Sequence, residues 1–301
     1  MKNITVTLSG LVSLLVAASG AYGQIQYTTD AHTIALYHLD ETSGSVAFDS
    51  SGNNRNAAIG SGVSKGRSSQ VGLGTSMKGA SSLTTGRISY VDTTTTNGQE
   101  SIFYTTGTSN FTLEAWIKFD SLDFASNIII AAVQPVGNVN YDYRLGILGT
   151  GSGTNAYSLT FGTGATPNLA YTVGGLSWEI DQWYHIAVTV ENTGDGASDT
   201  RIKFFRNVAG DSTTPTPIFT GSGRADLVMN SSTAQRQLEI GNYYGANGAY
   251  FFPGSIDEVR FSDIARTEFL TLAIPETSTT AMIGIGAMLL CLVSQKRKVL
   301  I

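Results

Sequence analysis

The stretch FTLEAWIKF, residues 111–119, decides the fold. Phe111, Leu113, Ala115, Ile117 and Phe119 share one face, and Thr112, Glu114, Trp116 and Lys118 share the other. A period of two is that of a β-strand with one face buried. WYHIAVTV, residues 183–190, repeats the pattern. Tyr184, Ile186, Val188 and Val190 form its apolar face, and Trp183, His185, Ala187 and Thr189 its mixed one. Each run carries a Trp on the face away from the aliphatic stripe. The pair predicts central strands with a dry inner side and an outer side that is polar but dotted with aromatics.

Working outward, similar runs recur between Gly/Asn/Asp turns: TIALYHL (33–39), RISYV (87–91), NIIIAAV (127–133), YRLGIL (143–148), YSLTFG (157–162), RIKFFRN (201–207), LEIGNYY (238–244) and SIDEVRF (255–261). About ten short strands at this spacing predict an all-β, two-sheet antiparallel sandwich. No helical period separates them, which argues against βαβ units. The Ser/Gly-rich stretch around 60–82 and the Thr93–Thr96 run read as loops.

The ends differ from the middle. Residues 1–23 place Lys2 before an apolar stretch from Leu8 to Ala18 and end Ala21-Tyr22-Gly23. That is the layout of a secretory signal peptide, cleaved just before Gln24. At the other end, IPETSTTAMIGIGAMLLCLVSQKRKVLI (274–301) is uncharged from Thr279 to Ser294. As a helix that run spans about 24 Å, against about 30 Å of hydrocarbon, so it crosses a membrane with help from its flanks. Lys296, Arg297 and Lys298 would hold the C-terminus in the cytoplasm. The expected organisation is a signal peptide at 1–23, one domain at 24–270 and a hydrophobic tail at 271–301.

Cys291, the one cysteine, lies in that tail. The domain must therefore be held by its core without disulfides. Setting both ends aside, residues 24–274 hold 14 of the 18 Lys+Arg and 22 of the 23 Asp+Glu, a net charge of −8. That argues against nucleic acid as a partner.

Four pieces carry a resemblance: ALYHLDETSGSVAFDSSGNN (35–54), NFTLEAWIKF (110–119), DQWYHIAVTVE (181–191) and GSIDEVRFSDIAR (254–266). In this order they resemble the laminin G-like / concanavalin A-like jelly rolls of bacterial secreted proteins. The resemblance implies a jelly roll that binds or displays rather than catalyses, with sugar as the usual ligand class and often a structural Ca2+. The tail resembles the PEP-CTERM sorting signal of Gram-negative bacteria through Pro275, Glu276, Ser278, the apolar run and Lys296-Arg297-Lys298. Thr277 stands where that pattern has its second proline, and Val299-Leu300-Ile301 trail beyond the basic cluster. The resemblance implies recognition by an exosortase-type membrane protease, after signal peptidase, and a place at the cell surface or in extracellular polymer. An uncleaved tail would instead make a single-pass anchor.

This fold also hosts β-glucanases, whose retaining members need two carboxylates about 5–5.5 Å apart. In the laminarinase type they come from one strand as E-x-D-x-E. The nearest match is WEIDQW (178–183), where Glu179 and Asp181 fit but Trp183 stands at the third acid position. His32, His38 and His185 have no zinc-type spacing. The chain is expected not to be an enzyme, with a concanavalin A-like glycoside hydrolase as an alternative.

Two binding constellations remain. Asp49 and Asn53 in DSSGNN (49–54), with Asp257 from the last strand, offer oxygen ligands to calcium. The same residues also suit an Asx-stabilised turn without metal. Tyr243, Tyr244, Asn247 and Tyr250 in GNYYGANGAYFF (241–252), with Trp116, offer rings for the apolar faces of sugars and an amide for their hydroxyls. Such rings equally pad a sandwich. The expected function is glycan or exopolysaccharide binding at the cell surface; a structural matrix or envelope protein is the alternative.

Overall fold

The computed structural model describes residues 22–24, 26–69, 75–78, 85–92, 110–122, 126–133, 141–149, 156–163, 170–192, 200–209, 211, 215–223, 237–242, 250–269 and 273–275. Gly23–Ile274 form one compact unit; Met1–Tyr22 and Pro275–Ile301 group as another. Glu276, Lys296, Arg297 and Lys298 lie outside the described residues. Among the described residues no helix is long and apolar enough to cross a membrane.

The described elements are strands, and they form two eight-stranded antiparallel sheets. Sheet 1 has the order β15 (Pro217–Gly223), β14 (Thr200–Val208), β13 (Trp183–Asn192), β8 (Phe111–Phe119), β17 (Gly254–Ser262), β6 (Thr75–Lys78) and β5 (Ser64–Ser68), with β2 (Thr33–Tyr37) also on β17. Sheet 2 has the order β12 (Ala170–Ser177), β11 (Ala156–Thr163), β10 (Tyr141–Gly149), β9 (Ser126–Val133), β16 (Gln237–Ile240), β7 (Ile88–Val91), β4 (Ala57–Ile59) and β3 (Val46–Ala47). The short β1 (Tyr22–Gln24) and β18 (Ala273–Pro275) pair separately. This is the jelly-roll sandwich that the alternation predicts.

The stretch around 60–82 departs from its loop reading, because it contains β5 and β6. Their sequences, SKGRS and TSMK, have almost no apolar face to signal a strand. They form the edge of sheet 1, where one polar side is tolerated. LEIGNYY ends as a strand at Ile240, where Gly241 turns to φ +80°.

The inner faces meet as predicted. Leu113, Ala115, Ile117, Ile186, Val188, Ile202 and Phe204 of sheet 1 share one core with Leu145, Ile147, Leu159, Phe161, Leu238 and Ile240 of sheet 2. Rings bridge the sheets: Phe111 lies 5.2 Å from Tyr143 and 6.0 Å from Phe161. Each such side chain contributes about 1.5–3 kcal/mol through burial.

β17 reaches this core only through a bulge. Asp257 is paired with Trp116 but Arg260 with Glu114, so β17 spends one residue more than β8. The extra residue is Glu258, at φ +50°. Strict alternation would put Val259 and Phe261 opposite Ile256; the bulge returns all three to the core. It also turns Arg260 outward to Glu114.

Candidate functional site

The outer face of sheet 1 has two halves. Over β13 and β8 it is covered, against the expectation of an open aromatic surface. The segments 26–30 and 262–269 lie across it: Tyr27 packs with Leu36, Trp116 and Trp183, and Phe269 packs on Ala187 and Phe205. Trp116 is 0 % exposed, so its ring has no open face for a sugar. Its stacking role is corrected to padding between the sheet and the N-terminal segment.

Beneath the cover, Glu114 joins side chains from the strands on either side of it. Arg260 Nε donates to its Oε1 at 2.7 Å and His185 Nε2 lies 3.2 Å from its Oε2. Burial opposes the charge of Glu114, but the His185 and Arg260 contacts outweigh it and lower its pKa. Tyr27 stacks over Arg260, whose carbon lies 4.5 Å from the ring centroid. The two covering segments are tied to each other by Arg266, which donates to both oxygens of Asp30 at 2.8 Å. With both carboxylate oxygens engaged and the group sealed, the arrangement fixes the fold and presents no accessible acid.

The calcium candidates are occupied otherwise. Asp49 Oδ1 accepts from the amides of Leu36 and Ser51 at 3.0 and 2.9 Å. Its Oδ2 accepts from the Arg55 amide and the Ser51 hydroxyl at 2.9 and 2.8 Å. Asn53 Nδ2 donates to the carbonyls of Thr33 and Ile34. Asp257 is buried, accepts from the Glu258 amide and Ser69, and burial pushes its pKa well above the ordinary carboxylate value. Both Asp49 oxygens are thus engaged, by three amides and one hydroxyl. Asp49 and Asn53 lock a turn, as an Asx motif does. Among the described residues no three His, Cys, Asp or Glu gather to hold a metal.

WEIDQW folds as a turn into β13. Trp178 is core, wedged 5.3 Å from Phe119 and 4.8 Å from Tyr184. Glu179 is exposed, Asp181 turns at φ +62° and Trp183 is buried. No second carboxylate of a glucanase pair comes from this segment.

The aromatic loop between β16 and β17 is pinned at its base. The Gly241 amide donates to Ile129 O and the Phe252 amide to Gly241 O, each at 2.9 Å. Asn242 and Phe252 are buried there, and Tyr250 is half-buried. Tyr243, Tyr244 and Asn247 lie outside the described residues. The loop's exit is stitched to sheet 1, because the Asp120 amide donates to Pro253 O at 3.0 Å.

Asp120 leads to a cluster that the sequence reading passed over. Arg67 Nη2 donates to both Asp120 oxygens, at 2.9 and 2.8 Å, and Lys78 Nζ donates to Oδ2 at 2.7 Å. Arg67 and Lys78 come from the two strands read as loop. This half of the outer face is open, with these three side chains 24–31 % exposed.

Residues 86–268 match a family model, that of the concanavalin A-like lectin/glucanases superfamily. The chain belongs to that superfamily. Domain 4 of AbnA, an extracellular arabinanase from Geobacillus stearothermophilus solved with arabinotriose, is 18% identical, with 78% of this chain and 94% of that one covered and a TM-score of 0.45. Trypanosoma rangeli sialidase in complex with sialic acid is 14% identical at TM-score 0.50, over 79% of this chain and 32% of that one. The superfamily member described here thus spans about a third of the sialidase. The binding domain of botulinum neurotoxin serotype D/C is 15% identical at TM-score 0.47, over 78% and 49%. At these identities the likeness is one of fold. No curated protein matches the sequence.

Proposed function

We propose that the protein is a non-catalytic carbohydrate-binding domain, exported and sorted to the cell surface of a Gram-negative bacterium, with an extracellular glycan as its partner. The observation that carries this reading is the pinned loop between Gly241 and Phe252. Its base is fixed by two backbone hydrogen bonds and buried residues, while its sequence supplies Tyr243, Tyr244, Asn247 and Tyr250. A rigid scaffold presenting a variable aromatic loop is the usual economy of a binding site. Sugar C–H faces stack on such rings and the Asn amide reads hydroxyls.

Trp183 at the third acid position of WEIDQW, and the sealing of Glu114, support binding over hydrolysis. The tail supports sorting: Pro275-Glu276, the apolar run and Lys296-Arg297-Lys298 would be read by an exosortase-type protease after signal peptidase has cut near Gln24. A mass spectrum of the mature protein checks both cuts. An intact tail would mean a single-pass anchor.

The binding test is retention on a panel of polysaccharides. Wild type is expected to be retained, and the Tyr243→Ala/Tyr244→Ala double variant is expected to elute freely with an unchanged melting midpoint. Retention on no polysaccharide would favour a structural matrix role. Hydrolysis of β-glucans that vanishes in Glu179→Gln would replace the reading with an enzyme.

A further inference from the structure

Among the described residues, the open half of the sheet 1 outer face carries more positive than negative charge. Lys118 pairs with Ser255, and Lys78 pairs with Ser64. The Ile256–Met77 pairing sets Ser255 beside Lys78, so all four stand in one row across β8, β17, β6 and β5. Arg67 lies over the row, its Nε donating to Ser255 Oγ at 2.8 Å. Arg67 and Lys78 share the single carboxylate of Asp120, which leaves one positive charge in excess. Lys118 adds a third cation: its Nζ is 3.4 Å from Ser68 Oγ and 3.9 Å from Asp181, whose side chain is 79 % exposed and so a weak partner, and the group holds three cations against two carboxylates. Arg67 Nη1 and the remaining Lys78 protons meet no acceptor among the described residues.

This local excess is set in a domain of net charge −8, so it is not part of a generally basic surface. The cations are also held in place. Asp120 fixes Arg67 through two hydrogen bonds, and Ser255 fixes its Nε, so an incoming anion meets donors that are already oriented. Partial burial strengthens their attraction above that of mobile surface lysines. The cluster adjoins the aromatic loop, because Asp120 is bonded to Pro253 at the loop's exit. Gly254 keeps the two together: a Cβ there would sit 1.9 Å from Lys118 O.

We propose that Arg67, Lys78 and Lys118 form a subsite for the carboxylate of an acidic sugar, so that the glycan bound beside the aromatic loop contains uronic acid residues. The proposal rests on the carbohydrate-binding reading. One carboxylate bridges Arg67 Nη1 and Lys78 Nζ, and the hydroxyls of Ser64 and Ser68 lie along the same strand edge for the sugar's own hydroxyls. Repulsion from the rest of the domain is screened beyond about 8 Å at physiological ionic strength, whereas the contact pairs are partly shielded from salt.

The test compares polygalacturonate with its methyl ester, which keeps the ring and removes the charge, using the full-length protein in mild detergent. Retention on the acid is expected to exceed that on the ester about tenfold. Lys78→Gln is expected to abolish the difference and Lys78→Arg to preserve it. Equal retention on acid and ester overturns the subsite, as does a Lys78→Gln variant that still prefers the acid. In either case loss of retention in Tyr243→Ala/Tyr244→Ala leaves the carbohydrate reading standing. Retention only on neutral polysaccharides overturns the subsite alone; retention on none of the acidic, esterified or neutral polymers overturns both.

Discussion

The two halves of one sheet face use the same ingredients to opposite ends. Over β13 and β8, Glu114 is matched by Arg260 and His185, and all three are sealed under Tyr27 and Phe269. Over β6 and β5, Asp120 is matched by Arg67 and Lys78 and stays open to solvent. Glu114 lies within β8, and Asp120 directly follows its last residue. What separates them is cover and stoichiometry. Removing water from the first group makes an unpaired carboxylate expensive, so both oxygens of Glu114 are engaged, although Tyr27 Oη, Trp116 Nε1 and His185 Nδ1 are buried there without a hydrogen-bond partner among the described residues. The second group keeps its water and its spare donors, which is what a ligand needs.

The largest effect should come from breaking the sealed half. Glu114→Gln keeps the shape but leaves Arg260 as a buried charge without a counter-charge. The expected loss is about 3–5 kcal/mol, read from chemical denaturation. The equivalent change in the open half, Asp120→Asn, is expected to cost about 1 kcal/mol or less, because solvent screens what remains. Equal losses at the two positions would show that cover is not what distinguishes them.

Most of the sealed half's strands were legible in sequence, and its cover was not. FTLEAWIKF and WYHIAVTVE place Glu114, Trp116 and His185 on the correct side by period alone. Nothing in that period says whether the side faces water or another segment, since a polar face with aromatics suits both. Two signals did point to the cover. Glu114, Arg260 and His185 are three ionisable groups on adjacent strands, and the apolar spacing of Ile256, Val259 and Phe261 breaks alternation in the way a bulge does. The open half was less legible. SKGRS and TSMK carry few apolar residues, so edge strands of this kind leave no periodic trace and the Arg67–Asp120–Lys78 group arises only from tertiary pairing. The calcium candidates show a related gap. Asp49 has the right atoms, but backbone amides that are invisible in sequence engage both its oxygens, and Asn53 donates its side-chain amide to backbone carbonyls.

A second way to break the comparison is to remove the lid without touching the charges. Phe269 stacks 4.7 Å from Phe205 and 5.1 Å from His185. Phe269→Ala should cost about 2 kcal/mol through lost burial. It should also admit water to His185 and Glu114, so that amide exchange on β13 speeds up while exchange on β10 of the other sheet is unchanged. Uniform acceleration in both sheets would mean that Phe269 supports the whole sandwich rather than a local cover.

The smallest effect sharpens the boundary between the halves, where the bulge of β17 holds Asp257 and Glu258. His38 Nδ1 lies 2.7 Å from Glu258 Oε1, and the Tyr27 amide donates to Oε2 at 2.9 Å. Burial raises the pKa of both acids, that of Asp257 well above its ordinary value. Burial works against the charge of His38, but its hydrogen bond and attraction to Glu258 prevail and raise it above 6.5. A raised His contributes stability in full below 6.5 and loses it as pH climbs through the folded value. The raised acids act in the same direction, since the folded state holds their protons longer than the unfolded chain does. Opposing them, Glu114 and Asp30 are lowered from 4.5 and 3.8, so their contribution is present above those values and disappears on further acidification. The melting midpoint should therefore peak near pH 4.5, where the contribution of Glu114 is complete, fall as the raised acids give up their protons, and fall further above 6.5 as His38 does. His38→Gln should flatten the decline above neutrality and leave the acid limb in place. A profile that rises through neutral pH would place the titrating groups elsewhere, and the bulge would then be a purely geometric device that turns Arg260 towards Glu114.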